Sequence, residues 1–101
     1  MTLDQVKQDR RAEAENAAKA LGVHDIRFMD QGDYPLDMDR EAKNQLVDIM
    51  REVQPSFIMS HSLDDPYNTD HPYATRVTLE CRMIAQAWGH NPGEKVLGAP
   101  Q

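Results

Sequence analysis

Apolar side chains recur at helical spacing in three separate stretches of the chain. The first stretch follows Thr2 and Gln5, whose spacing resembles a capping box. It runs to Gly22, a residue type that commonly ends helices. We therefore predict a first helix, with Arg10 on the same seam as its apolar residues Leu3, Val6, Ala14, Ala17 and Leu21.

Two further stretches predict two more helices. The second helix is predicted over residues 39–53, because Pro55 follows it and the apolar face is regular: Leu46, Ile49, Met50 and Val53. The third is predicted to start at Pro72, a favourable residue in a first helical turn, and to be closed by Gly89 and Pro92. Its seam consists of Tyr73, Val77, Cys81, Ile84 and Trp88.

Two short apolar runs, at residues 26–29 and 57–60, predict strands on either side of the second helix. The order strand, helix, strand predicts one parallel, right-handed βαβ unit and an α/β class. Sheets usually hold about five or six strands. We therefore expect residues 1–101 to be a single partial domain that oligomerises or belongs to something larger, with an irregular tail over residues 90–101.

Composition and charge narrow the classes of function. The chain has 101 residues, is 40% hydrophobic and carries a net charge of −6. An acidic chain argues against nucleic-acid and anionic-membrane partners, which need a basic face. The single Cys81 fits a reducing compartment, and no apolar run is long enough to span a bilayer. We expect a cytoplasmic protein.

The loop over residues 64–72 concentrates polar chemistry between the second predicted strand and the third helix. In an open α/β sheet, ligands bind at the edge formed by the carboxyl ends of the strands, and this loop is expected to lie there. His71 stands at the expected N-cap, where the positive end of the helix dipole disfavours a protonated imidazole and leaves a lone pair for a metal. The alternative is that His71 only caps the helix.

Neighbouring residues have two interpretations each. Asp70 either orients His71 as a carboxylate partner behind a metal or is a solvated or capping residue. Asp64 and Asp65 are either hard metal ligands or turn formers before proline, and turn formation is the commoner role. His61 faces the same edge of the predicted sheet. A histidine in this position more often has a structural role than a role in binding.

Two residues outside this loop complete the set of candidates. Asp33 follows the first predicted strand and contacts either a substrate group or only the turn at Gly32. Arg10 lies on an apolar seam, where it either reaches a buried carboxylate or extends its charged end into solvent. The residues leave both choices open.

Four runs in this order resemble the PIG-L/LmbE zinc-dependent deacetylase family. Residues 10–23 resemble its helix motif R-x-x-E-x-x-x-A-A-x-x-L-G-V, and residues 28–33 resemble its strand with an aspartate loop. Residues 53–61 resemble the strand R-P-D-V-V-x-T-H, and residues 68–71 take the place of H-P-D-H. The resemblance implies a Rossmann-like parallel sheet with flanking helices.

The resemblance also implies roles for particular residues. The last His of the H-P-D-H motif is a zinc ligand in the family, which implies His71 as the metal ligand here. The first His, which stabilises the oxyanion in deacetylation, is replaced by Asn68. Family members place the helix Arg and the loop Asp near the substrate, which implies Arg10 and Asp33. The other two zinc ligands belong to a His-x-x-Asp motif that has no match in this chain.

Within the family, residues 65–75 and 84–94 resemble the branch of 4-oxalomesaconate hydratases of gallate-type aromatic degradation. This branch implies a zinc-dependent hydro-lyase that adds water to an unsaturated oxo-tricarboxylate, with a small carboxylate substrate and a possible homo-oligomer. Asn68 would also contact substrate, and Asp70 and Asn68 are the candidates for catalysis, with no base identified. We expect the 101 residues alone to be inactive. The alternatives are an N-acetyl sugar deacetylase and a non-enzymatic α/β interaction module.

Overall fold

A computed structural model describes residues 1–32 and 35–99 of the chain and contains three helices. Helix α1 spans Leu3–Leu21, α2 spans Arg40–Val53 and α3 spans Asp70–Gln86. None of these helices is long and apolar enough to cross a membrane. All three predicted helices are therefore present, and they account for the regular structure in the described residues.

The helix starts follow from their capping residues. Thr2 and Gln5 form the predicted capping box of α1, and Gly22 ends that helix in the left-handed conformation at φ 76°. Asp39 caps α2 by accepting a hydrogen bond from the Ala42 N–H. Helix α3 begins at Asp70, two residues before the predicted Pro72, so His71 lies in its first turn and is not its N-cap.

The predicted parallel sheet is wrong for the described residues. Neither residues 26–29 nor residues 57–60 form a strand, and no backbone hydrogen bond joins the two segments within residues 1–32 and 35–99. A strand exists only when a neighbour satisfies its N–H and C=O groups, and apolar periodicity cannot supply that neighbour. Phe57 and Met59 are consequently exposed. The described chain is all-helical rather than α/β.

The hydrophobic core lies between α2 and α3. Val47 from α2 and Cys81 and Ala85 from α3 are fully buried, and Met38 and Leu97 close the cluster from the flanking segments. Burial raises the pKa of the Cys81 thiol, which keeps it protonated. This packing fixes α3, the helix that carries His71.

A buried arginine fastens the far end of α3. The Arg51 guanidinium donates hydrogen bonds to the carbonyl oxygens of Ala85, Ala87 and His90 at 3.1, 2.7 and 2.6 Å. Glu94 lies 3.7 Å from the same group. One carbonyl in the last turn of α3, that of Ala85, is thereby bonded, and the segment that follows the helix is held against α2.

Helix α1 is much less buried than the other two. Ala18 is its one buried residue, whereas Leu3 and Leu21 of the predicted seam are exposed. Its contacts run to the segment that follows it: Arg11 covers the Phe28 ring at 4.6 Å, and Lys7 lies 3.4 Å from Asp30. The apolar seam of α1 therefore does not build the core of α2 and α3.

Candidate functional site

Asp65 organises the loop that leads into α3. Its Oδ1 accepts hydrogen bonds from the backbone N–H groups of Tyr67 and Asn68, at 2.9 and 3.1 Å. Its Oδ2 lies 2.9 Å from Nδ1 of His71. Asp65 is thus both the turn former predicted for this position and a carboxylate partner of His71, which was one of the two roles considered for Asp70.

The contact with Asp65 determines which ring nitrogen of a neutral His71 carries the proton. The hydrogen bond to His71, together with the Tyr67 N–H, holds the pKa of Asp65 below its usual value, so this carboxyl is ionised at neutral pH. A carboxylate has no proton to donate, so a neutral His71 carries its proton on Nδ1. Its lone pair is therefore on Nε2, to which residues 1–32 and 35–99 make no hydrogen bond.

His61 lies flat against His71. The two ring centroids are 3.9 Å apart and the planes differ by 4°. Thr75, one helical turn after His71, donates its hydroxyl to the His61 carbonyl oxygen and lies 2.8 Å from the Ser60 hydroxyl. The loop and the first turns of α3 thus bring both imidazoles together.

Asn68 and Asp70 connect the start of α3 to its surroundings. The Asn68 side-chain oxygen accepts the Asp70 N–H at 2.9 Å, and Asp70 Oδ1 accepts the Leu36 N–H at 2.9 Å. The Tyr73 hydroxyl accepts the Met38 N–H at 2.9 Å. Residues 36 and 38 therefore lie on the first turn of α3, and the predicted candidate Asp33 is outside the described residues.

The remaining candidates have contacts of their own. Arg10 pairs with Glu13 at 3.1 Å on an exposed face of α1, and its side chain is 75% exposed. Asp64 donates its backbone N–H to the Ser62 hydroxyl. The structure places neither residue in contact with His71, so the predicted substrate role of Arg10 and the ligand role of Asp64 stay predictions.

Two residues of this site have roles that the sequence did not predict. Asp65 was predicted mainly as a turn former, and Thr75 was not among the predicted site residues. The spacing of Asp65 and Thr75 around His71 was the available signal, since one lies across the turn and the other lies four residues along the helix. Contacts across a loop are not periodic, which is why the pattern did not reveal them.

The side chains at this site can supply one metal ligand, the imidazole of His71. A histidine that binds a metal through one nitrogen commonly donates its other N–H to a carboxylate, as His71 does to Asp65. Within residues 1–32 and 35–99, no group of three or more His, Cys, Asp or Glu side chains is arranged to hold a metal ion. A catalytic zinc site needs three protein ligands. This part of the chain thus offers one oriented imidazole rather than a whole site.

Two curated proteins match most of the chain. The chain is 52% identical over 99% of its length to a 4-oxalmesaconate hydratase of Pseudomonas putida KT2440, of which it spans 38%. It is 34% identical over 90% of its length to 1D-myo-inositol 2-acetamido-2-deoxy-alpha-D-glucopyranoside deacetylase of Thermomonospora curvata, of which it spans 37%.

A solved structure and a family profile also match. The crystal structure of GalB, the 4-carboxy-2-hydroxymuconate hydratase of Pseudomonas putida KT2440, superposes with a TM-score of 0.92 at 51% identity. This superposition covers 99% of the chain and 41% of GalB. The profile described as "PIG-L: GlcNAc-PI de-N-acetylase" matches residues 2–82. Since that match covers most of the 101 residues, the chain belongs to the PIG-L family.

Proposed function

We propose that this chain is part of a metal-dependent hydratase that adds water to the carbon–carbon double bond of an unsaturated oxo-tricarboxylate such as 4-oxalomesaconate. The observation that carries the proposal is the 52% identity to a 4-oxalmesaconate hydratase along nearly the whole chain. The chain spans 38% of that relative, so the activity is proposed for the full-length protein. A small carboxylate is the proposed substrate, in aromatic degradation.

His71 is the residue proposed to hold the metal, through Nε2. Metal dependence is general in the PIG-L family, and zinc is the proposed metal. When bound, zinc polarises substrate oxygens and lowers the pKa of a coordinated water. Asp65 keeps the proton of His71 on Nδ1 and so leaves Nε2 available. The other ligands are expected from the family's His-x-x-Asp motif, which has no match among these 101 residues.

Asn68 favours hydration over deacetylation. A carboxamide neither gains nor loses a proton near neutral pH, so Asn68 cannot supply the proton that an imidazole at this position can. Its side-chain oxygen is engaged by the Asp70 N–H, which leaves the amide N–H₂ as the group able to reach a substrate oxygen. Asn68 is therefore proposed to bind substrate, and Asp70 to join residue 36 to α3.

The second candidate function is an N-acetyl sugar deacetylase. The 34% identity to a deacetylase of Thermomonospora curvata and the family description favour it. Asn68 in the place of the family histidine argues against it. We also propose a cytoplasmic location, because the single Cys81 is a free thiol and fits a reducing compartment.

Assaying both substrate classes with the full-length protein tests the proposal. We expect the wild type to consume 4-oxalomesaconate and to leave N-acetylglucosaminyl substrates intact. Asn68→His should keep the metal content of the wild type, since residue 68 is not a proposed ligand, and should lower hydration. Efficient deacetylation by the wild type, with Asn68 in place, would reverse the ranking of the two functions.

A further inference from the structure

We infer that His61 is a positioning residue that holds the imidazole plane of His71 in the orientation a metal requires. The inference rests on the proposed function, because it takes His71 as the metal ligand. It is drawn from the parallel stack of the two rings, with centroids 3.9 Å apart and planes 4° apart. It concerns ring orientation and gives His61 no ligand role.

The stack itself argues against shared ligation. Lone pairs on imidazole nitrogens lie in the ring plane, so the lone pairs of two parallel rings cannot point at one ion between them. A tetrahedral zinc site needs nitrogens that converge on the metal at about 2.0–2.1 Å. His61 and His71 therefore do not form a chelating pair in this arrangement.

The hydrogen bond to Asp65 does not by itself prevent the His71 ring from tilting. The hydrogen bond from Nδ1 to Asp65 Oδ2 holds one edge of the ring at 2.9 Å, but it tolerates tilting of the ring about that edge. The His71 side chain is 38% exposed, so the protein core does not enclose it. The flat face of His61 opposes this tilt, because a tilted ring would collide with it.

Thr75 ties His61 to the same helix that carries His71. Its hydroxyl donates to the His61 carbonyl oxygen, and Thr75 lies four residues after His71 on α3. Because the His61 backbone is held to the helix that carries His71, the position of residue 61 depends on α3 as well as on the exposed loop over residues 62–64. Preorganisation of a ligand in this way strengthens metal binding.

Zinc affinity of the full-length protein, measured by competition with a chromophoric chelator, tests the inference. We expect His61→Ala to weaken zinc binding about 10-fold, the lower end of what loss of a residue behind a ligand costs. His61→Phe keeps a flat ring and loses both nitrogens, and it should stay within about threefold of the wild type. Thr75→Val, which removes the hydroxyl at nearly constant volume, should fall between the two.

The outcomes separate this inference from the proposed function. If His61→Phe loses as much affinity as His71→Ala, His61 acts through a nitrogen and the positioning role is overturned. If His61→Ala binds zinc as tightly as the wild type while His71→Ala does not, the positioning role alone is overturned. If His71→Ala itself retains zinc, the proposed metal site is wrong. Equal thermal unfolding temperatures across the variants exclude misfolding.

Discussion

The two ends of α3 each set a histidine against an aspartate, yet they differ in what the pair leaves available. At the N-terminal end, His71 uses Nδ1 for Asp65 at 2.9 Å, and its side chain is 38% exposed. At the C-terminal end, His90 uses Nε2 for Asp48 at 2.8 Å, and its side chain is 14% exposed. The first pair leaves Nε2 of His71 without a hydrogen bond to Asp65, whereas the second pair uses Nε2 of a histidine whose side chain is largely buried.

The surroundings explain this difference. Around His90, the buried Arg51 draws together three carbonyl oxygens, and Asn91 lies 3.3 Å from the same His90 nitrogen. Around His71, the neighbours are a loop carboxylate and a second imidazole. A His–Asp contact is therefore no sign of function by itself. It is compatible with a metal ligand only where the remaining nitrogen can be reached, and the His71 side chain is the more exposed of the two.

Exchanging the histidines for alanine gives the largest expected contrast between the two ends. His71→Ala should abolish activity and zinc binding in the full-length protein, because it removes a proposed ligand. His90→Ala is the matched control and should retain zinc, since its ring nitrogen is already engaged by Asp48. Zinc content after dialysis, together with turnover, checks both. Equal zinc loss in the two variants would erase the contrast.

Replacing Arg51 tests the structural end of α3. Arg51→Met keeps much of the apolar stem but removes a donor from three carbonyl oxygens, of which Ala85 keeps the Leu97 N–H. We expect a loss of about 3 kcal/mol in the free energy of unfolding, measured by urea denaturation. Arg11→Met, which removes an exposed cation from the Phe28 ring, is the control and should cost about 0.5 kcal/mol. Similar losses would mean that Arg51 is not the anchor of this end.

The smallest expected effect concerns the seam between α2 and α3. Glu80 lies 2.9 Å from Lys43 and 3.6 Å from Arg40, and the hydrogen bond from Lys43 holds the pKa of Glu80 below its usual 4.5. Glu80→Gln should cost about 0.5 kcal/mol at neutral pH.

The pH dependence of this ion pair has a definite sign. Because the pKa of Glu80 is lower in the folded state, its contribution is present above pH 4.5 and is lost as the pH falls through the folded value. Urea denaturation of the wild type and Glu80→Gln at several pH values measures it. A stability difference that stays constant below pH 4.5 would rule out this ion pair as its cause.

Local signals in the sequence predicted the helices well. The Thr2 and Gln5 capping box and the Gly22 stop depend on residues close in sequence, and both are confirmed. Helix α2 begins at Arg40, one residue after the predicted start, because Asp39 is its N-cap. The family membership of the chain is also confirmed. The start of α3 was misplaced by two residues because Pro72 was taken as the first helical residue.

The pattern of apolar and polar residues did not predict contacts between separate segments of the chain. The predicted sheet fails in the described residues because residues 26–29 and 57–60 have no partner strand there. The pairing of Asp65 with His71 and the burial of Arg51 depend on loops folding back, which periodicity does not encode. The resemblance to the family identified His71 as a ligand, and that role remains a prediction.

Zinc X-ray absorption of the full-length protein tests whether His71 binds the metal, because it counts imidazole ligands there. We predict that the His71→Ala variant, forced to bind by excess zinc, shows one imidazole fewer than the wild type, and that His90→Ala shows the same number as the wild type. An unchanged imidazole count in His71→Ala would contradict the claim that the N-terminal end of α3 supplies the metal ligand.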